Sequence, residues 1–377
     1  MSSELCAATS AFAVELYQQV LATTGATKNI AISPFSIAAA LSMTLAGARQ
    51  RTADEIEKVL HVNRDSIHLE FSKFLADVTA YAPDVTLDIA NRLYAEKSYK
   101  ILDEYIAALR KFYHTTVVSV DFKNEAEAAR LAVNAWVEEV TKSKIRGLLP
   151  LGSVDSDSVL ILINAIYFKG LWEKQFNPDA TTLKDFQVSK GAARKVRMMF
   201  KRAEFKINFD DPNFAAVEIP YRGGKTSMVI LLPHEVDGLP HLEAALTPSK
   251  LSDIFTGLEM TLVELSLPRF RVALSVNIKN VLQSLGVKDL FSREADLSGI
   301  GGEKDHGVSA AFHKAFVEVN EEGTEAAAAT GMMMKKRKCA ISAVRFVVDH
   351  PFMFIIKCRE PDVILFAGSV RDVPSAE

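Results

Sequence analysis

Beyond Phe186 the chain changes character, and that change limits its fold more than any other feature. Before it, apolar residues recur at helical spacing, as Leu5, Phe12, Leu16 and Val20 do within residues 4–22. After it they come in short alternating runs at residues 215–219, 227–232, 260–267, 317–319, 346–348, 352–357 and 363–370, which read as strands. Further helices are predicted over 34–46, where Ser33 reads as the N-cap and Pro34 as the first helical residue, and over 103–113 and 124–141. Thr52 and Glu55 read as a capping box for the helix after Ala46. Strands are predicted at 86–95, 116–122 and 159–168. Helices early and strands late, without regular β-α alternation, predict an α+β fold with sizeable sheets rather than a doubly wound one. No repeat or low-complexity linker divides the 377 residues, so the chain reads as one domain.

Composition excludes several functions. A formal charge of −3 argues against a dedicated nucleic-acid binder, which needs a clear excess of Lys and Arg, so any basic function must be local. Cys6, Cys339 and Cys358 are too few and too scattered for a disulfide framework or a metal site, and no cofactor is expected. Residues 159–168 are too short to span a bilayer, and 31–48 carries Pro34 and several hydroxyls, so no membrane association is expected. No secretory leader pattern follows Met1, which fits either a cytosolic protein or a mature secreted one; no Asn-x-Ser/Thr sequon occurs. An enzyme is not expected either. Gly224, Lys225 and Thr226 lack the preceding P-loop glycine, since Ile219 stands there, and neither Gly-x-Ser-x-Gly nor HExxH occurs.

One segment does not fit. Between strand-like flanks the chain reads EEGTEAAAATGMMMKKRKC from Glu321 to Cys339. On propensity the alanine run is a short helix or an exposed loop. The alternative is a segment able to enter a sheet, with small residues at every second position. Thr324, Ala326, Ala328 and Thr330 meet that requirement, Glu325, Ala327 and Ala329 would face outward, and Gly323 frees the turn.

With NIAISPFSIAAALSMTLAGA near the start, LINAIYFKGLWEKQF in the middle, FVEVNEEGTEAAAAT at this segment and DHPFMFIIK near the end, the chain resembles the serpin family over nearly its whole length. The resemblance implies three sheets, about nine helices and an exposed reactive-centre loop from Glu321 to about Val344. It implies an irreversible suicide inhibitor of serine proteases whose loop inserts into the central sheet, a switch that general accounts of strand addition already use as an example. The family pattern puts the scissile bond fourteen residues beyond Gly323, between Arg337 and Lys338. Ser33, Ser36, Asn164 and His313 resemble the polar gate beneath the strands that part. Read without the family, they are a helix cap, a helix hydroxyl, a buried amide and a core histidine. Trp172 resembles the tryptophan at the upper opening of that sheet, and Glu321 the hinge glutamate, paired with a basic residue, here Arg269.

Lys335, Lys336 and Arg337 would select trypsin-like proteases, since Arg337 can pair in bidentate fashion with a buried acid; trypsin, plasmin, kallikrein and matriptase are the classes expected. A second basic cluster, Lys190, Arg194, Lys195, Arg197, Lys201, Arg202 and Lys206, is a candidate surface for a heparin-like polysaccharide, though such runs are commonly solvated sheet faces. The helix expected at 66–81 has only His68 and Lys73 for that purpose. A monomer is expected, with Cys339 a candidate for intermolecular disulfides or oxidation. Extracellular action on haemostatic and inflammatory proteases, as for tick serpins, is the reading preferred. The alternatives are a cytoplasmic guardian against leaked proteases and a non-inhibitory binding module or chaperone.

Overall fold

The computed structural model describes residues 3–302, 306–324 and 342–375. The apolar spacing at the start forms α1 (Ser3–Thr24), and β1 (Ile30–Ile32) leads to the capped helix α2 (Pro34–Gly47), where the Ser33 hydroxyl accepts the Ser36 N–H at 3.2 Å. Nearly every residue of α2 is buried, which makes it the axis around which the other helices pack. There follow α3 (Gln50–Leu60), α4 (Arg64–Thr79), β2 (Val85–Glu96), α5 (Asp103–Tyr113), β3 (Val117–Val120), α6 (Phe122–Val140) and β4 (Leu160–Leu171). The strand-rich part runs through β5 (Thr182–Ser189), β6 (Ala192–Asn208), β7 (Phe214–Pro220) and β8 (Thr226–Pro233) to α7 (Leu239–Ala245) and α8 (Pro248–Thr256). It continues with β9 (Glu259–Pro268), β10 (Phe270–Asn277), α9 (Lys279–Leu285), α10 (Ser298–Gly301) and β11 (Ala310–Val319). The last elements are β12 (Gly323–Thr324), β13 (Val344–Val347), β14 (Phe352–Arg359) and β15 (Asp362–Val370).

The expected α+β division is present, with the sheets in two hydrogen-bonded sets among the described residues. A six-stranded sheet has the order β10-β11-β12-β4-β2-β3, and a larger one the order β1-β15-β14-β8-β7-β6-β9-β13 with β5 beside β6. The larger set is two half-sheets sharing one long strand: β6 pairs with β9 from Met198 to Ile207 but meets β7 only at Lys206, Ile207 and Asn208. The three expected sheets correspond to these halves and the six-stranded sheet. One apolar core lies between the sheets and around α1 and α2, and a second lies where α6 covers β2, β4 and β11.

The capping-box reading of Thr52 and Glu55 is wrong. The helix starts at Gln50, and Thr52 is a buried residue of its first turn whose hydroxyl donates to Asp289 and accepts the Asp296 N–H. Glu55 accepts the N–H groups of Lys288 and Asp289, which outweigh its own desolvation and hold its carboxyl below the usual range. Tertiary partners from residues 288–296 took the groups that local spacing assigned to a cap. Strand β11 is also longer than the predicted 317–319, because His313 and Lys314 interrupt its apolar pattern.

Candidate functional site: the seam between β4 and β11

Strands β4 and β11 run parallel and pair directly from Ala310 opposite Ile161 to Phe316 opposite Tyr167. Beyond that point they part, and the two residues of β12 fill the gap, antiparallel to both neighbours. Thr324 lies opposite Val319 on one side and Gly170 on the other, and Gly323 lies opposite Leu171. A β-carbon on Gly323 would stand 2.0 Å from the Gly170 carbonyl oxygen, and its φ of +155° is one that side chains disfavour. Glycine is required here by close approach as much as by turning.

Above the wedge, the Asn320 side chain accepts the N–H groups of Glu322 and Gly323 at 3.0 and 3.2 Å, closing a tight turn. The Trp172 indole donates to the Asn320 carbonyl at 2.9 Å and stacks on Tyr221 with ring centroids 4.5 Å apart. The Tyr221 hydroxyl shares a 2.7 Å hydrogen bond with Thr324, and complete burial pushes its ionisation far above the ordinary phenol range. The buried Glu321 carboxylate accepts from Arg269 Nε at 2.7 Å and Nη2 at 2.6 Å, and from the Thr181 hydroxyl at 2.5 Å. The turn into the wedge is thereby tied to the junction of β9 and β10, to the residue after β4 and to the residue before β5.

Below the wedge, Asn91, Asn164 and His313 stand in one row across β2, β4 and β11, directly opposite one another in register. Asn164 Nδ2 donates to the Ser36 carbonyl at 2.8 Å, the Ser36 hydroxyl at 2.7 Å and the Asn91 amide oxygen. The Ser33 hydroxyl donates to the Leu365 carbonyl at 2.6 Å, while the Ser33 N–H donates to His313 Nε2 at 3.2 Å. Because Nε2 accepts, the ring proton is on Nδ1, which donates to the Asn164 amide oxygen. Burial pushes the His313 pKa down to about 3, so the ring is neutral.

The structure therefore brings Ser33, Ser36, Asn164 and His313 into one network and Trp172, Arg269, Glu321, Gly323 and Thr324 into another. Sequence reasoning missed Asn91, whose sign was an amide on the face that otherwise carries Leu87, Ile89 and Leu93. Asn320, Tyr221 and Thr181 were also missed. Tyr221 and Thr181 act through partners 103 and 140 residues away, for which no local pattern exists, whereas the Asn320 turn was a local signal in the run from Asn320 to Gly323. The hinge residues Glu325–Thr330, the loop residues Lys335–Lys338 and Cys339 lie outside the described residues.

The second basic cluster does not form one free face. Lys190 pairs with Asp237, Arg194 with Asp372, Lys195 with Asp185 and Arg202 with Glu264, at 2.9, 3.0, 3.0 and 3.8 Å. Lys201 is half-buried and bonds to the Gln175 carbonyl; burial and neighbouring Lys174 lower its proton affinity. Strand alternation puts Lys201 on the side opposite to Arg202 and Lys206.

A six-stranded sheet whose parallel central strands are parted at one end by the start of an antiparallel strand defines a class of protein, and the sequence profile of that class agrees. Residues 7–373 match the family described as Serpin (serine protease inhibitor), and the chain belongs to it. It is 52% identical to Iris of Ixodes ricinus, covering 96% of this chain and 97% of that one. It is 42% identical to leukocyte elastase inhibitor A of Mus musculus, over 97% and 99% of the two chains. Among solved structures, Serpin48, described as a highly specific serpin of the insect Tenebrio molitor, superposes with a TM-score of 0.89 at 34% identity over 99% of each chain. The family inhibits serine proteases rather than catalysing a reaction of its own.

Proposed function

We propose that the chain is an irreversible suicide inhibitor of trypsin-like serine proteases, cleaved between Arg337 and Lys338. The observation that carries this reading is the two-residue strand Gly323–Thr324, already paired on both sides between β4 and β11. It is the first rung of a strand whose continuation in sequence has small residues at each second position. A protease takes Arg337 into its specificity pocket, and its serine attacks the carbonyl to give an acyl-enzyme. Insertion of the freed segment then competes with hydrolysis of the ester. At about 3.3 Å per residue, fourteen inserted residues carry the tethered protease on the order of 45 Å, enough to drive it against the body of the inhibitor and deform its catalytic site. In this mechanism Ser33, Ser36, Asn164 and His313 form the gate that must open. Trp172, Arg269 and Glu321 hold its upper end.

Trypsin, plasmin, kallikrein and matriptase are the target classes, and action outside cells follows from where such proteases work. The test is to mix the protein with trypsin and with plasmin, separate the mixture on a denaturing gel and weigh the released C-terminal fragment. A band near the summed masses with a fragment starting at Lys338 is expected. Complete cleavage without that band would make the chain a substrate and favour a non-inhibitory binding role.

A further inference from the structure

Where α2 ends, a cleft of about 230 Å³ opens between α2, α5 and α10. Ala46, Leu102, Tyr105 and Ala108 make part of it apolar, and two charged groups line the rest: Arg49, just beyond α2, and Glu104, in the first turn of α5. Both side chains are exposed, and neither forms an ion pair among the described residues, even with the other.

An exposed arginine ordinarily samples many rotamers, but Arg49 is held in place. Its Nη1 donates to the Ala48 carbonyl at 2.7 Å and the Ala46 carbonyl at 3.2 Å, which uses both hydrogens of that nitrogen on the end of α2. The guanidinium also lies against Gly299, where a β-carbon would come within 2.7 Å of Cζ and both terminal nitrogens, so only glycine leaves the space. What remains is the edge formed by Nε–H and Nη2–H, the parallel donors that a carboxylate takes in bidentate fashion. Asp296, whose carbonyl accepts the Arg49 N–H, does not supply that carboxylate, because its own accepts the Ser298 N–H and hydroxyl.

We propose that this cleft is a binding site for a free α-amino acid with an apolar side chain. The α-carboxylate takes the open edge of Arg49, the ammonium group pairs with Glu104, and the side chain lies on Leu102, Tyr105 and Ala108. One guanidinium and one carboxylate that do not meet each other match a ligand carrying one charge of each sign, and a ligand with a single charge leaves one of them unanswered. The volume is below the roughly 300 Å³ at which ordinary ligand pockets begin, which limits the occupant to a single residue. Because Arg49 is already held, little side-chain order has to be imposed on binding.

The assignment does not depend on protease inhibition and is tested without a protease. The intact chain is titrated at low ionic strength with L-leucine, with N-acetyl-L-leucine, which lacks the ammonium, and with L-leucinamide, which lacks the carboxylate. Binding is read from saturation transfer to the ligand methyl groups by NMR. L-Leucine should saturate with a Kd in the millimolar range or below, and each singly charged analogue should bind at least about tenfold more weakly. Glu104→Gln, at an exposed position, should bring leucine down to the level of N-acetyl-leucine and leave N-acetyl-leucine itself unaffected. Equal binding of the three ligands by the unaltered protein overturns the proposal, as does the absence of saturation by leucine up to about 50 mM. The comparison among ligands needs no substitution, so a misfolded variant cannot rescue or sink it.

Discussion

At the scale of the residue, the polar row beneath the seam is stable only because each donor meets an acceptor. His313 fits between Ser33 and Asn164 as the neutral Nδ1–H tautomer, and protonation would add a second donor where the Ser33 N–H already points at Nε2. The pH dependence follows with a definite sign. The unfolded ring titrates near 6.5 and the folded ring near 3, so between those values the unfolded chain binds more protons. The stability that a neutral His313 contributes is fully present above pH 6.5 and is lost as pH falls towards 3, by up to about 1.4 kcal/mol per pH unit. Urea midpoints measured at pH 7.5 and 5.5 should drop for the unaltered protein and drop less for His313→Gln. Equal drops would remove His313 as the cause.

At the scale of the element, β12 matters more than its two residues imply. The direct ladder of β4 and β11 must open for the chain to continue between them. Each hydrogen bond lost there is worth on the order of 1 kcal/mol net. Continuation of β12 replaces that parallel ladder with two antiparallel ones, and the replacement succeeds only if the side chains facing the core are small. A charged, bulky residue at such a position should therefore slow insertion relative to ester hydrolysis. Ala328→Glu is expected to be cleaved by trypsin after Arg337 at an undiminished rate while the denaturation-resistant complex falls by at least about tenfold, since burying an unpaired charge is costly. An unchanged yield of complex would show that this position does not enter the core face.

At the scale of the whole molecule, the proposed mechanism requires the intact chain to be less stable than the cleaved and inserted one. The gain is the two new ladders along an added central strand, without loss of the cores on either face of the sheet. A nick within residues 331–341 by a protease that does not acylate the chain stably should raise the melting temperature. Differential scanning calorimetry of nicked and intact protein measures this directly, and a nicked form that melts at or below the intact temperature would argue against insertion.

How much of this was legible in the sequence depends on the range of the interaction concerned. Ser33 with Pro34 marks the start of α2 because an N-cap is decided within three residues, and the alternating runs after Phe186 mark strands because period two is a local property. The unusual segment from Glu321 was visible from its composition, and the family motifs extended that to a fold and an expected loop. Tertiary structure alone decided the rest. It moved Thr52 and Glu55 from a cap to contacts with residues 288–296, brought Asn91 into register with Asn164 and His313, and took most of the basic cluster into ion pairs. Hydrogen-bond satisfaction and charge pairing are settled by neighbours in space, and for these groups the neighbours come from elements far apart along the chain.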